Sequence, residues 1–292
     1  MNLKLKNIRC LIIESFIIVA VLFAAFLHAF WNFILRGAED KLLSMTSVVL
    51  GHVPFAIIGI LVFGLPDIVG LKYILASSLL HFFYQVFLLN AYKYGELSEI
   101  YPTARGLSPL IIVTTSYLFF YEEISINQII GIFLISFTLI IYGLKQFLDK
   151  QSDIRGVLLA IVTGFFIAIY SLVDGYGARI TQNPVGFYSV MTLINGLIFY
   201  FFARWKEKEI LKSIILSGKM YFFIGGTASY VAYGIVVWSC LYLPIAVVSS
   251  LRETSILFAV LLGIFFLREK IKPTKCLLIL GLFFGVIILR LN

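Results

Sequence analysis

Ten apolar runs, each long enough to cross a bilayer, take up almost the whole chain. They cover roughly residues 16–35, 43–65, 73–92, 99–121, 128–147, 156–176, 185–203, 220–242, 244–267 and 275–291. In hydrocarbon such a run must satisfy its own backbone polar groups, which a helix does within one segment. Most connections are very short, so consecutive helices are antiparallel neighbours. The expected fold is an all-α membrane protein of ten transmembrane helices. Composition points the same way: 61% of residues are hydrophobic and 13% charged, against about 25% charged in soluble domains. No polar segment is long enough for a separate soluble domain. The longest connection, Arg204 to Lys219, mixes Trp205 with Lys206, Lys208 and Lys212 and reads as a short interfacial helix.

The ten runs divide into two fives on either side of Lys145–Arg155. This gives a first five-helix repeat over 16–148, a second over 155–291, and an N-terminal extension, 1–15. His81-x-x-Tyr84 in the third run parallels Tyr230-x-x-Tyr233 in the eighth. Phe119–Glu123 ends the fourth run as Phe265–Glu269 ends the ninth. Five spans is an odd number, so the halves must have opposite orientations. Two inverted repeats around a central cavity are expected, with a site near the midplane at the repeat interface. The extension carries Lys4, Lys6 and Arg9, like the start of a leader. The run behind it is too long and lacks a small-residue cleavage site, so it reads as a retained first span.

The net charge of +8 lies in the connections and does not form a nucleic-acid-binding face. Fifteen Lys and Arg fall in connections after odd-numbered spans and six on the other side with both termini. That bias places the odd connections in the cytoplasm and both termini outside. The three cysteines, Cys10, Cys240 and Cys276, have no metal or redox spacing. They read as small packing residues. No metal or cofactor is expected, and the absence of a P-loop excludes ATP as the direct driver.

Charges inside the runs carry the functional information, because each costs at least about 2.5–3.5 kcal/mol on insertion scales. Arg105 sits about 9 Å into the fourth run if helical, between Pro102 and Pro109. Proline at 109 clashes with the Arg105 carbonyl and is expected to break the helix there. Arg252 and Glu253 are the counterpart in the ninth run. Either an arginine holds an anionic substrate group, or the charges form a structural pair such as Arg105–Glu253. Adjacent helical residues point about 100° apart, so Arg252 and Glu253 are not expected to share a partner. Arg252 is expected near the midplane and Arg105 at the cavity mouth. Asp174 binds a substrate ammonium, carries a proton or pairs with Arg179; Gly175 and Gly177 suggest that its helix is ending.

Polar and aromatic residues converge from several spans: His28, Trp31 and Asn32 from the first, His81, Tyr84, Gln85 and Tyr92 from the third, Tyr101 from the fourth, Asn195 from the seventh, and Tyr230, Tyr233 and Trp238 from the eighth. They describe an aromatic-walled polar cavity. Its candidate substrate-binding set is Arg105, Arg252, Glu253, Tyr101, Trp31, Asn32, His81, Tyr84, Tyr233 and Trp238. Asp174, Glu253 and His28 are the candidates for proton coupling. Glu122, Glu123 and Glu269 read as interfacial, and His52, beside Pro54, as a helix-contact residue. Gly281 and Gly285 form a GxxxG that brings helices close, within the fold or in a homodimer.

Several strings resemble the EamA-type transporters of the drug/metabolite transporter superfamily. Leu27-His28-Ala29-Phe30-Trp31-Asn32 is similar to that family's first-helix signature. Ala91–Ser98 followed by Tyr101-Pro102-x-Ala104-Arg105-Gly106 resembles its third-to-fourth helix junction. Tyr170–Gly175 and Leu251–Ser255 match a branch of the family. The resemblance implies a ten-helix transporter of small metabolites, often an exporter, with both termini in the cytoplasm, opposite to the charge bias. The expected function is secondary transport, by alternating access, of a small polar metabolite: an amino acid or similar zwitterion or anion. The partners are then the substrate and the lipid bilayer, the chain a monomer or homodimer, and the location a bacterial plasma membrane. The competing readings are an intramembrane enzyme, for which no zinc-ligand spacing such as HExxH appears, and a structural or sensory subunit.

Overall fold

A computed structural model describes residues 2–35, 38–94, 97–150, 153–268 and 273–291; Gly95, Glu96 and Glu269 lie outside the described residues. The described chain is helical without strands. Its elements are α1 (Asn2–Leu35), α2 (Lys41–Gly51), α3 (Val53–Phe63), α4 (Leu71–Ala91), α5 (Leu97–Phe119), α6 (Ile126–Lys150) and α7 (Ile154–Thr181). There follow α8 (Pro184–Lys206), α9 (Ile210–Ser213), α10 (Gly226–Ser239), α11 (Ile245–Arg252), α12 (Ser255–Leu267) and α13 (Pro273–Arg290).

Nine segments among the described residues are long and apolar enough to cross a membrane. The protein is therefore an integral, multi-pass membrane protein. α5 is not among the nine, although it has 23 residues; Tyr101–Ser108 makes it the most polar of the long helices. Large apolar side chains such as Leu61, Phe119, Leu197, Phe265 and Leu277 face outward. Ser77, Ser78, Gln85, Ser108, Asp174, Asn195 and Ser250 are buried. This inside-out distribution suits hydrocarbon, where polar side chains find partners only among the other helices.

Three local features differ from the sequence expectations. First, α5 runs unbroken through Pro102 and Pro109. Pro109 cannot donate to the Arg105 carbonyl, and the Ser108 hydroxyl donates to it instead, at 3.5 Å. Close packing supports the helix: a Cβ on Gly106 would come within 2.9 Å of the Ser136 carbonyl oxygen in α6. Second, the break falls in the counterpart, between α11 and α12, where there is no proline. Thr254 N–H bonds to Leu251 O at 3.1 Å and Ile256 N–H to Glu253 O at 3.1 Å. The Thr254 hydroxyl competes for the Leu251 carbonyl at 2.6 Å. Third, no separate interfacial helix forms over 204–219. The chain turns at Glu207–Glu209 and is then helical from Ile210 to Ser239, with π-turns at Ile214–Gly218 and Tyr221–Gly225.

The helices of the two halves interlock. α1 packs on α10 and α12, α7 on α4 and α5, α8 on α3 and α4, α2 on α10, and α13 on α6. The Gly281/Gly285 motif serves the last of these contacts: a Cβ on Gly285 would lie 2.6 Å from Ile135 and 3.3 Å from the Gly131 carbonyl oxygen. The tightest crossing joins α2 to the start of α10. A Cβ on Gly226 would meet the Cα and carbonyl carbon of Gly51 at 2.7 and 2.8 Å. Backbone cannot give way as a side chain can. Gly226→Ala should therefore lower stability by about 1–3 kcal/mol. Gly234→Ala, whose Cβ would meet only Tyr188 ring atoms at 3.7 Å, should stay within about 0.5 kcal/mol of wild type. Thermal unfolding of the detergent-solubilised protein measures both.

Candidate functional site

A cavity of about 80 Å³, measured at the centre of a water-sized sphere, lies between the two halves. This is several times the space that one water needs. α1, α2, α4, α5, α7, α8, α10 and α11 all reach it.

Its charged end is built on Glu253, which is fully buried. Arg105, 5% exposed, donates from Nε to Glu253 Oε2. Nη1 of Arg105 donates to the Tyr101 hydroxyl oxygen at 3.0 Å and to His28 Nε2 at 2.9 Å. A guanidinium only donates, so His28 presents a lone pair at Nε2, which also accepts from Tyr101 at 2.6 Å. These contacts give His28 the task of orienting Arg105. Arg252, 4% exposed, places Nη2 3.9 Å from Glu253 Oε1. Two guanidinium groups thus face one carboxylate. The tightened turn after Arg252 lets two sequence neighbours point to the same place, which a regular helix would prevent. Both arginines reach Glu253, so their guanidinium groups lie at one end of the cavity.

Arg252 is the less satisfied of the two. Its Nε and Nη2 have no hydrogen-bond partner. The guanidinium carbon lies 5.6 Å from the Tyr233 ring centre and 6.0 Å from that of Tyr170, a cation–π arrangement.

The second charged group is Asp174. It sits within α7, which continues past Gly175 and Gly177 to Thr181; both glycines make room for neighbours, Gly175 for Ile245 and Gly177 for Phe187. Asp174 accepts from the Ser77 hydroxyl, from Tyr233 at 2.5 Å and from His81 Nε2 at 2.9 Å. It does not pair with Arg179. The His81 ring stacks on Tyr170 at 4.0 Å between centroids. Tyr233 therefore connects the two charged groups, its hydroxyl on Asp174 and its ring beside Arg252.

Among the expected site residues, His28, Trp31, His81, Tyr84, Tyr101, Arg105, Tyr233 and Arg252 line the cavity. Glu253 stands behind the arginines. Asn32 and Trp238 do not line it. Asn32 donates to the His28 carbonyl of its own helix at 2.7 Å, and Trp238 packs edge-on against Phe16. His52 lines the wall at the α2–α3 break with its Nε2 unpartnered. Tyr170 and Ser77 complete the two charged groups. Tyr170 opens the Tyr170–Gly175 string that resembles the family but is not among the expected site residues, and serine is too common in spans to single out Ser77.

The far end of the bundle holds another ion pair. Arg179 donates to Glu122, to the Cys240 carbonyl at 2.7 Å and to the Leu243 carbonyl at 3.0 Å. Glu122 also accepts from Ile245 N–H at 3.2 Å, at the start of α11. The Glu122 side chain is 7% exposed, held in this clasp just past the end of α5.

Residues 154–291 match the model of the EamA-like transporter family. The family is part of the drug/metabolite transporter superfamily. The EamA-like half supplies Tyr170, Asp174, Tyr233, Arg252 and Glu253. The fold as a whole is similar to a solved crystal structure, with a TM-score of 0.68 and 16% identity over 94% of this chain and 95% of that chain. At that identity the likeness concerns fold alone. None of the curated proteins matches the chain.

Removing one partner of a buried ion pair strands the other. Glu253→Leu should destabilise the protein by about 3–5 kcal/mol, and adding Arg105→Leu should recover most of that loss. Thermal unfolding of wild type, single and double variants tests this. A double variant no more stable than Glu253→Leu would show that the pair does not account for the loss.

Proposed function

We propose that the chain is a secondary transporter that carries a small polar metabolite, an amino acid or similar zwitterion or anion, by alternating access. The observation that carries this is Arg252: a buried guanidinium at the cavity wall with Nε and Nη2 free of hydrogen bonds. A carboxylate accepts from such a fork through two oxygens. Arg105, by contrast, is engaged by Glu253, Tyr101 and His28. The aromatic rings around the pair suit the apolar part of a metabolite. The match of residues 154–291 to a transporter family supports transport over enzymatic chemistry, and the family resemblance favours export and a bacterial plasma membrane. Asp174, hydrogen-bonded to His81, is the candidate for proton coupling.

In this reading α5 is the tenth span and the halves, 16–148 and 155–291, are inverted repeats. Exchange of corresponding helices between the halves supports it. The α4–α7 contact then maps onto α1–α10, α5–α7 onto α1–α12, and α4–α8 onto α2–α10; α6–α13 maps onto itself. Such a pair of halves supplies two exchangeable access states. One chain contains the whole cavity, so a monomer suffices as the transport unit.

Arg252→Gln removes a charge-assisted contact of about 1.5–3 kcal/mol, without breaking a hydrogen-bonded pair. It should reduce counterflow of a radiolabelled amino-acid mixture in proteoliposomes by about tenfold or more while the unfolding temperature holds. Unchanged counterflow in a folded Arg252→Gln variant would remove Arg252 from the site.

A further inference from the structure

We infer that a second, smaller cavity behind Tyr233 and Arg252 is the closed half of the transport path, and that the Glu122–Arg179 clasp is the gate that shuts it. This rests on the transport reading above.

The second cavity is lined by Ser171, Asp174, Tyr233, Cys240, Ser249 and Arg252, among others, and has a volume of about 10 Å³ on the same measure. It holds no more than about one water. Its wall nevertheless carries polar groups among the valines and isoleucine. The Ser171 and Ser249 hydroxyls, like Nε and Nη2 of Arg252, are buried without hydrogen-bond partners. Serines in spans ordinarily bond back to their own helix, as Ser250 does to Ala246 at 2.8 Å. These two present free hydroxyls beside the free guanidinium edge, which suits a polar solute in passage.

Three helices place the main cavity, the second cavity and the clasp in the same order, and α5 spans from the first to the last. Along α7, Ile167 and Tyr170 line the first, Ser171, Asp174 and Gly175 the second, and Arg179 makes the clasp. From Tyr170 to Arg179 is about 13 Å of helical rise. Along α10, Ser229 lies at the first, Val236 and Val237 at the second, and the Cys240 and Leu243 carbonyls in the clasp. α11 reads in reverse: Arg252, then Ser249 and Val248, then Ile245, whose N–H is held by Glu122. α5 contributes Tyr101 and Arg105 near its start, and Glu122 follows its far end. Tyr233 and Arg252 belong to both cavities, so they form the partition. The clasp joins a first-half carboxylate to a second-half guanidinium and to the connection between α10 and α11. It is thus a contact between the two bodies that must separate when access alternates.

Cys240 reports on this. It is 3% exposed, lines the second cavity and lies directly under Arg179. In a full-length Cys10→Ser, Cys276→Ser background it is the sole cysteine. Opening the gate should expose it to a membrane-impermeant maleimide added on the clasp side. Glu122→Gln and Arg179→Gln, tested separately so that one misfolded variant is not decisive, should each raise the labelling rate about tenfold from that side only. Unchanged labelling in folded variants, or acceleration only from the opposite side, would overturn the gate. Counterflow of the amino-acid mixture, run on the same vesicles, separates the two readings. Counterflow in the parent with labelling indifferent to the clasp rejects the gate alone; accelerated labelling with no counterflow rejects the amino-acid transport reading and leaves the moving clasp in place.

Discussion

Two arginines share one carboxylate in the interior of a membrane protein. Arg105, Arg252 and Glu253 carry a net positive charge, and all three are nearly or fully buried. Desolvating such groups is costly, and a buried pair seldom adds stability over well-packed apolar residues. Asp174, which Tyr233 joins to Arg252, balances that charge within the same region. The two arginines differ in how far they are engaged. Glu253, His28 and Tyr101 take Nε and Nη1 of Arg105 and leave its Nη2 without a partner, whereas Arg252 has two such nitrogens, Nε and Nη2. The pair holds the first half of the chain to the second, and the spare guanidinium is what the substrate would contact.

The rest of the fold serves to place these groups. The turn at Glu253–Thr254 aims two neighbouring residues at one point. Three donors from two other helices hold Asp174, and Tyr233 bridges it to Arg252. Glycines at the α2–α10 and α6–α13 crossings let the helices of the two halves approach closely around the cavity.

Much of this was legible in the chain because hydrocarbon makes charges expensive. Arg105, Arg252, Glu253 and Asp174 stood out as costly residues, and the structure brings all four to the same region. Helix existence followed from run length, yet the helix break did not. Pro109 signalled one in the fourth run, but Ser108 and the packing around Gly106 carry α5 through it. The actual break at Thr254 depends on a threonine hydroxyl competing for a carbonyl, which no composition rule marks. Glu122 and Arg179 looked like span-end charges, since nothing local reveals that residues 57 positions apart meet over the end of α11. Asn32 and Trp238 have the composition of site residues, but Asn32 gives its amide to the His28 carbonyl and Trp238 packs against Phe16.

The central claim is that a small anionic or zwitterionic metabolite passes through this cavity by way of Arg252. Its most direct test is metabolite profiling of cells that lack the protein and cells that overproduce it, with intracellular and medium pools measured separately. The account predicts that at least one such metabolite shifts in opposite directions in the two strains, and that overproducing the Arg252→Gln variant abolishes the shift. Unchanged pools of every small polar metabolite, or a shift that persists undiminished in that variant, would contradict it.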